Sequence, residues 1–372
     1  MSNGTRFAAL GGVVVAGALA LSACGSDNNG PATGSGGGGS AASIGGAACA
    51  KGTLTASGST AQANAMSAWI KNYQQACGGA TINYQGVGSG AGIQQFTAGS
   101  TGMAGSDSAL KPEEHGPADQ RCKSGKAIDL PMVGGPIAVV YNLPGVDGLR
   151  MSPKNLAGIF SGKITKWNDP AIAKDNPDAK LPSSAIQPFH RSEESGTTDN
   201  FTKFLKAAAG GAWTFDPGKK WVAPGGQGAK GSDGIAQAVK QTQGTISYDE
   251  YSYATNSRLQ TAKVANGSGE FVELTTDSAS KGIEAAKIVG QGNDLALSID
   301  YATKEQGAYP VVLVTYEITC EKGLSSDQLS LVRSFLTYTV SDQGQAGLTQ
   351  LGYAPLPKSL QQKVQAALQA LS

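Results

Sequence analysis

A chain of 372 residues is long enough for two domains with their own cores. Its formal charge of +1, from 29 basic against 28 acidic side chains, leaves no basic excess or stripe of the kind that nucleic-acid binders carry. An anion held by such a chain is captured by local dipoles and one or two charges rather than by a broad positive surface.

The chain opens on a targeting segment. Residues 1–23 read as a signal peptide, with Arg6 as the positive flank and an apolar run of small residues over 8–21 that is too short to span a bilayer comfortably. Leu21-Ser22-Ala23-Cys24-Gly25 resembles a lipobox, so Cys24 is the expected lipidation site and mature N-terminus. Residues 24–47, rich in Gly, Ser, Ala and Asn, then form a flexible linker with a reach of about 25 Å. These features place the body at the extracytoplasmic face of the cell membrane, tethered to it by lipid. With Cys24 acylated, Cys49, Cys77, Cys122 and Cys320 remain, an even set that suggests two disulfides in an exported protein. Of the three pairings open to them, Cys49–Cys77 with Cys122–Cys320 is favoured, since the first would bracket one strand and one helix. No C-x-x-C spacing occurs and His115 and His190 are the only histidines, so neither a metal site nor a cofactor is expected.

Residues 53–57 read as a strand, followed by Met66, Trp69, Ile70 and Tyr73 on one helix face. Residues 81–84 give a second strand, Ile93 and Phe96 a short helix, and residues 102–105 a third strand that delivers Ser106 and Asp107 at its carboxyl end. This alternation predicts an open α/β sheet, in which ligands collect beyond the carboxyl ends of strands. Two long apolar runs, 128–142 (interrupted by Gly134-Gly135-Pro136) and 309–319, suit buried strands. Between them lies a second α/β section: a strand at 186–189, Phe201, Phe204 and Leu205 on a helix face, a helix marked by Ile235 and Val239, and a strand at 245–248. Leu329, Val332, Phe335 and Leu336 mark a further helix, and the tail from Pro357 is helical.

Three Ser/Thr/Gly clusters precede helical stretches: Ser57-Gly58-Ser59-Thr60, Gly88-Ser89-Gly90 and Ser195-Gly196-Thr197-Thr198. The N–H groups at helix starts lack intrahelical partners, and short hydroxyl side chains let them converge on a small tetrahedral anion. Taken singly, each Ser or Thr is better explained as a helix cap. Their order, with Arg191 before the third cluster and Asp107 after the second, favours an oxyanion site.

Together with Gly105-Ser106-Asp107, residues 83–90, Lys163-Ile164-Thr165-Lys166-Trp167-Asn168-Asp169-Pro170 and Arg191-Ser192-Glu193-Glu194, these clusters make the chain resemble the phosphate-binding proteins of phosphate-specific ABC transporters. The resemblance covers residues 53–371. It implies a type II periplasmic-binding-protein-like fold of two α/β lobes joined by two crossing strands. Lobe 1 would comprise 48–136 and 312–372, and lobe 2 would comprise 137–311. It further implies a non-enzymatic, monomeric binder of inorganic phosphate that delivers its ligand to the permease subunits of an ABC importer. Matched position by position, the phosphate contacts fall on Thr60, Ala61, Ser89, Asp107, Arg191, Ser195, Gly196 and Thr197, with Ser59 adjoining them. Family members often carry an aromatic residue at the position of Ala61, and Glu193 stands where many have Asp.

Arg191 offers a fork of donors to two oxygens. Asp107 repels an anion unless the ligand brings a proton, which phosphate does and sulfate does not, so it is expected to discriminate between them. His190, His115, Trp167, Trp213 and Trp221 read as packing or solvated residues. Gly86-Val87-Gly88-Ser89-Gly90-Ala91 fits a dinucleotide fingerprint but leaves the other two clusters unexplained. The alternatives retained are a binder of another tetrahedral oxyanion and, less well supported, a secreted phosphatase-like enzyme; no G-x-S-x-G elbow is present.

Overall fold

The computed structural model describes residues 42–123 and 125–372. The signal peptide, Cys24 and most of the expected linker lie outside the described residues. The described chain begins with a hairpin of Ser43–Ile44 against Ala47–Ala48, inside the stretch expected as linker. Gly45 turns it with φ +57° and donates its N–H to the Gln343 side chain at 2.9 Å, while Ser334 Oγ donates to the Ala48 carbonyl at 2.6 Å. Contacts with the far end of the chain hold this segment, so its composition gave no sign of them.

The first strands and helices alternate as β1 (Gly52–Gly58), α1 (Ala63–Ala76), β2 (Ala80–Gly86), α2 (Ser89–Thr97) and β3 (Met103–Ser106), followed by α3 (Pro112–Arg121) and the long β4 (Ala127–Asn142). After α4 (Pro153–Phe160) come β5 (Gln187–Arg191), α5 (Gly196–Ala208), β6 (Gln227–Ala229), α6 (Gly231–Gln241) and β7 (Thr245–Glu250). The chain returns through β8 (Val312–Cys320) and ends with α7 (Ser326–Val340) and α8 (Lys358–Ala370).

One nine-stranded sheet carries the architecture, in the order β2-β1-β3-β8-β4-β7-β5-β6 with Gln260–Thr261 added against β4. Each flank is parallel: β1 beside β2 and β3, and β5 beside β7 and β6. Between the flanks β4 and β8 run antiparallel, and β4 changes partner along its length. Its residues 127–136 pair with β8, whereas 137–142 pair with β7. One strand thus passes from one half of the sheet into the other. The Gly134-Gly135-Pro136 interruption does not break it, because Gly134 exchanges backbone hydrogen bonds with Ala354 at 2.8 and 2.9 Å. A Cβ at Gly134 would sit 2.4 Å from Ile283 and 3.0 Å from the Ala354 carbonyl oxygen, so the glycine permits that approach.

Both halves are packed by the apolar stripes expected from periodicity. In α1, Met66, Trp69 and Tyr73 are buried, with Ile70 half-buried at the margin, and Tyr73 meets Phe335 of α7 edge-on at 5.4 Å. In α5, Phe201, Phe204 and Leu205 are buried, and Phe201 stacks on Tyr248 of β7 at 4.3 Å. Pairs of this kind add about 0.5–1.5 kcal/mol beyond their buried area. Disulfides join Cys49 to Cys77 and Cys122 to Cys320; the second ties the end of α3 to the end of β8. Among the described residues no helix is long and apolar enough to cross a membrane.

Candidate ligand-binding site

Within each flank the parallel strands end together, and the two flanks run in opposite senses so that both end towards the middle of β4. Ser106 is in register with Tyr316 and Pro131, and Glu250 with Ile137. The loops leaving β1, β3 and β5 meet there. At Gly58 the chain has φ +150°, and a Cβ would lie 1.9 Å from the Gly105 carbonyl oxygen, so only glycine lets β1 approach β3 this closely. The next residue, Ser59, donates its Oγ–H to Oδ1 of Asp107, at the end of β3. Thr315 Oγ1 of β8 donates to the same oxygen at 3.2 Å, and Thr197 Oγ1, from the first turn of α5, donates to Oδ2 at 3.3 Å. Three hydroxyls from three elements therefore hold one carboxylate. Burial pushes the Asp107 carboxyl above its ordinary value, and the Ser59 hydrogen bond and the Arg191 charge oppose that rise.

Arg191, at the end of β5, is 2% exposed. It donates Nη2–H to Thr60 Oγ1 at 2.7 Å, and Nη1–H to Thr197 Oγ1 and Ser232 Oγ at 3.4 Å each. Glu193 orients it, accepting from Nε at 2.8 Å and pairing with Nη2. The Glu193 carboxylate is fixed in turn by the Gly231 N–H, at 3.1 and 3.2 Å from its two oxygens. Ser89 Oγ accepts from the N–H groups of Asp107 and Gly196 at 3.2 and 3.1 Å, bridging the two halves. A Cβ on Gly196 would fall 2.6 Å from Asp107 Cβ, so glycine is needed for that contact too. Ser195 Oγ accepts from Thr198 N–H at 3.3 Å and caps α5. Ala61 is buried; its N–H donates to Ser59 Oγ at 3.0 Å, and its carbonyl accepts from Tyr353 at 2.6 Å.

All nine residues singled out in the sequence lie in this one hydrogen-bonded cluster. The fold adds three that were not singled out. Ser232 opens α6 and shares Thr60 Oγ1 through its N–H at 3.2 Å; Thr315 holds Asp107; Tyr253 donates to the Thr60 carbonyl at 2.9 Å. Gly231-Ser232 follows the same pattern of a small hydroxyl residue before a helix and was legible on that ground. Thr315 sits inside an apolar run and carried no such signal. His190 stacks on Trp221 at 5.0 Å, and Trp167 donates to the Gly244 carbonyl at 3.2 Å, both as packing residues.

Further carboxyls are buried near the cluster: the Arg191 charge reaches Asp249, and Asp107 is a neighbouring charge to Glu250 and Glu317. Asp249, Glu250 and Glu317 are completely buried, and burial raises all three, Glu317 to about 8. A cleft of about 320 Å³ reaches the cluster beside Thr60, Glu193, Ser232 and Tyr253. Hydroxyls, helix-start N–H groups and one guanidinium suit a small oxyanion, and a carboxylate acceptor among them favours one that carries a proton.

Two parallel flanks linked by long antiparallel strands, with a polar cleft at the strand ends, define a periplasmic-binding-protein-like fold. Residues 44–343 match the PBP superfamily domain. The chain is 46% identical over 370 residues to phosphate-binding protein PstS 3 of Mycobacterium tuberculosis, covering 99% of each. It is 34% identical over 325 residues to phosphate-binding protein PstS of Pasteurella multocida, covering 84% of this chain and 89% of that one. The crystal structure of a phosphate-binding protein from Stenotrophomonas maltophilia has the same fold, with a TM-score of 0.67 at 20% identity over 85% of this chain and 93% of that one. The chain belongs to the PstS family of phosphate-binding proteins within the PBP superfamily.

Proposed function

We propose that this protein binds inorganic phosphate outside the cytoplasm and hands it to the permease of an ABC importer, acting as a monomeric binder and not as an enzyme. The observation that carries the reading is Asp107, a buried carboxylate set among donors. Such a group tolerates an anion only when the anion supplies a proton to it. Phosphate at neutral pH carries one or two protons. Ser59, Thr60, Ala61, Ser89, Arg191, Ser195, Gly196 and Thr197 would supply donors to its oxygens. Cys24 would anchor the protein to the membrane through lipid, within reach of the permease. The two halves of the sheet would act as lobes, 48–136 with 312–372 against 137–311, bending where β4 changes partner and closing on the ligand.

Calorimetry of the ligand-stripped protein against phosphate, arsenate and sulfate tests the reading. Phosphate and arsenate, which both keep a proton, should bind with one site per chain, and sulfate should bind about 10³-fold more weakly. Asp107→Asn should shrink that ratio to about tenfold or less, because the amide can donate to sulfate. Equal affinities for phosphate and sulfate in the unmodified protein would refute the role of Asp107. Turnover of a chromogenic phosphate ester would favour an enzyme instead.

A further inference from the structure

We propose that His115, Asp129 and Asp294 form a binding site for a divalent transition-metal ion of the zinc type, made of residues that take no part in the phosphate cluster. The three residues come from α3, β4 and the loop before Leu297–Ser298, so no sequence spacing reveals them. One ring nitrogen of His115 and one oxygen from each carboxylate lie within 4.8 Å of one another.

Asp129 is wholly buried. Its oxygens accept from the Leu110 N–H at 3.0 and 3.2 Å, and its own N–H donates to Asp294 Oδ1 at 3.0 Å, which draws a second carboxylate alongside. Two carboxylates in this setting repel unless a cation or a proton lies between them. Among the described residues no lysine or arginine forms an ion pair with either one. The cation whose charge reaches Asp129, Lys219, is already held by Glu114 at 2.7 Å.

The donor set decides the class of ion. An imidazole with two carboxylates suits zinc and its neighbours, which accept mixed nitrogen and oxygen ligands, whereas magnesium and calcium prefer oxygen alone. The backbone N–H groups of Leu110, Asp129 and Ala296 orient the two carboxylates, as outer partners do in metal sites. A cleft of about 560 Å³ beside His115 and Asp294, with Asp119 and Glu321 in its wall, gives an ion and its water a way in. His115 and Asp294 are only half-buried and have room to draw in around the ion.

The test is calorimetry of the chelator-treated, purified chain in phosphate-free buffer against Zn²⁺, Mn²⁺ and Mg²⁺, alongside His115→Gln and Asp294→Asn. The expected result is one Zn²⁺ per chain, at least tenfold tighter than Mg²⁺, weakened tenfold or more by either substitution. Phosphate affinity measured without zinc should change less than twofold in both variants. Absence of a 1:1 zinc site, a site indifferent to both substitutions, or Mg²⁺ binding as tight as Zn²⁺ would overturn the proposal. The unmodified chain must itself take up one ion, so the test decides even if a variant fails to fold.

Discussion

Arg191 is buried with Glu193 on one side and three hydroxyls on the other, and its donors are committed to a fixed fork. Charged hydrogen bonds of this type are worth about 1.5–3 kcal/mol each. Arg191→Met should therefore weaken phosphate binding by about 10²-fold or more, read by calorimetry, and leave Glu193 without its cation. Arg191→Lys should recover only part of the loss, because an ammonium cannot span Thr60, Thr197 and Glu193 together. Glu317 behaves differently. Burial raises its carboxyl to about 8 from an ordinary 4.5, with a Gln62 hydrogen bond opposing the rise and the Asp107 charge adding to it. The native state thus holds a proton that the unfolded chain releases at lower pH. Its contribution to stability is fully present below about 4.5, is lost as pH rises towards 8, and is constant above that. Glu317→Gln should raise the thermal midpoint by a few degrees at pH 8 and by almost nothing at pH 4.5. Melting curves of both proteins across that window would show it, and a difference that does not vary with pH would remove Glu317 from the account.

The elements differ in how far local sequence could announce them. Trp69 and Tyr73 in α1, or Phe201, Phe204 and Leu205 in α5, repeat at helical spacing because one face must meet the sheet, so they were readable directly. The same holds for Asp107, Ser89 and Ser195, which stand where strands end and helices begin. The run through Gly134-Gly135-Pro136 reads as a buried strand and is one, although those residues break strands locally. Here a partner more than two hundred residues away, Ala354, completes the ladder. Thr315 and the 43–48 hairpin were hidden, since their partners are distant in sequence. Distance along the chain also separates the two disulfides in effect. Cys49–Cys77 spans 28 residues and Cys122–Cys320 spans 198. On the chain-entropy account they restrict the unfolded state by about 4 and about 5 kcal/mol respectively. Replacing both cysteines of the longer bridge with serine should lower the urea midpoint more than replacing those of the shorter one. Equal midpoints would indicate that the unfolded chain is already compact around residues 122–320.

The two halves of the molecule touch through groups that an open cleft would expose. Besides the phosphate cluster, Lys219 Nζ reaches Glu114 of α3 at 2.7 Å, Ser108 Oγ donates to Asp199 at 2.7 Å, and Gly90 N–H donates to the Glu194 carbonyl at 3.1 Å. Lys219 is almost fully buried by its contact, so opening rehydrates a charge pair as well as the ligand site. On the proposed hinge motion these bonds would favour closure independently of phosphate, and ligand binding would have only the remaining free energy to supply. Glu114→Gln keeps the shape of the side chain and removes its charge, which should shift the ligand-free protein towards the open form. Apparent affinity for phosphate then falls in proportion to the lost closed population, by about tenfold for a loss of about 1.4 kcal/mol. Preference for phosphate over sulfate should be unaffected, because Asp107 and its hydroxyl partners are intact. Small-angle scattering of the ligand-free variant should give a larger radius of gyration than the unmodified protein, and saturating phosphate should bring the two together. An unaltered radius with unaltered affinity would show that closure depends on the ligand cluster alone, and that the Glu114–Lys219 pair merely follows it.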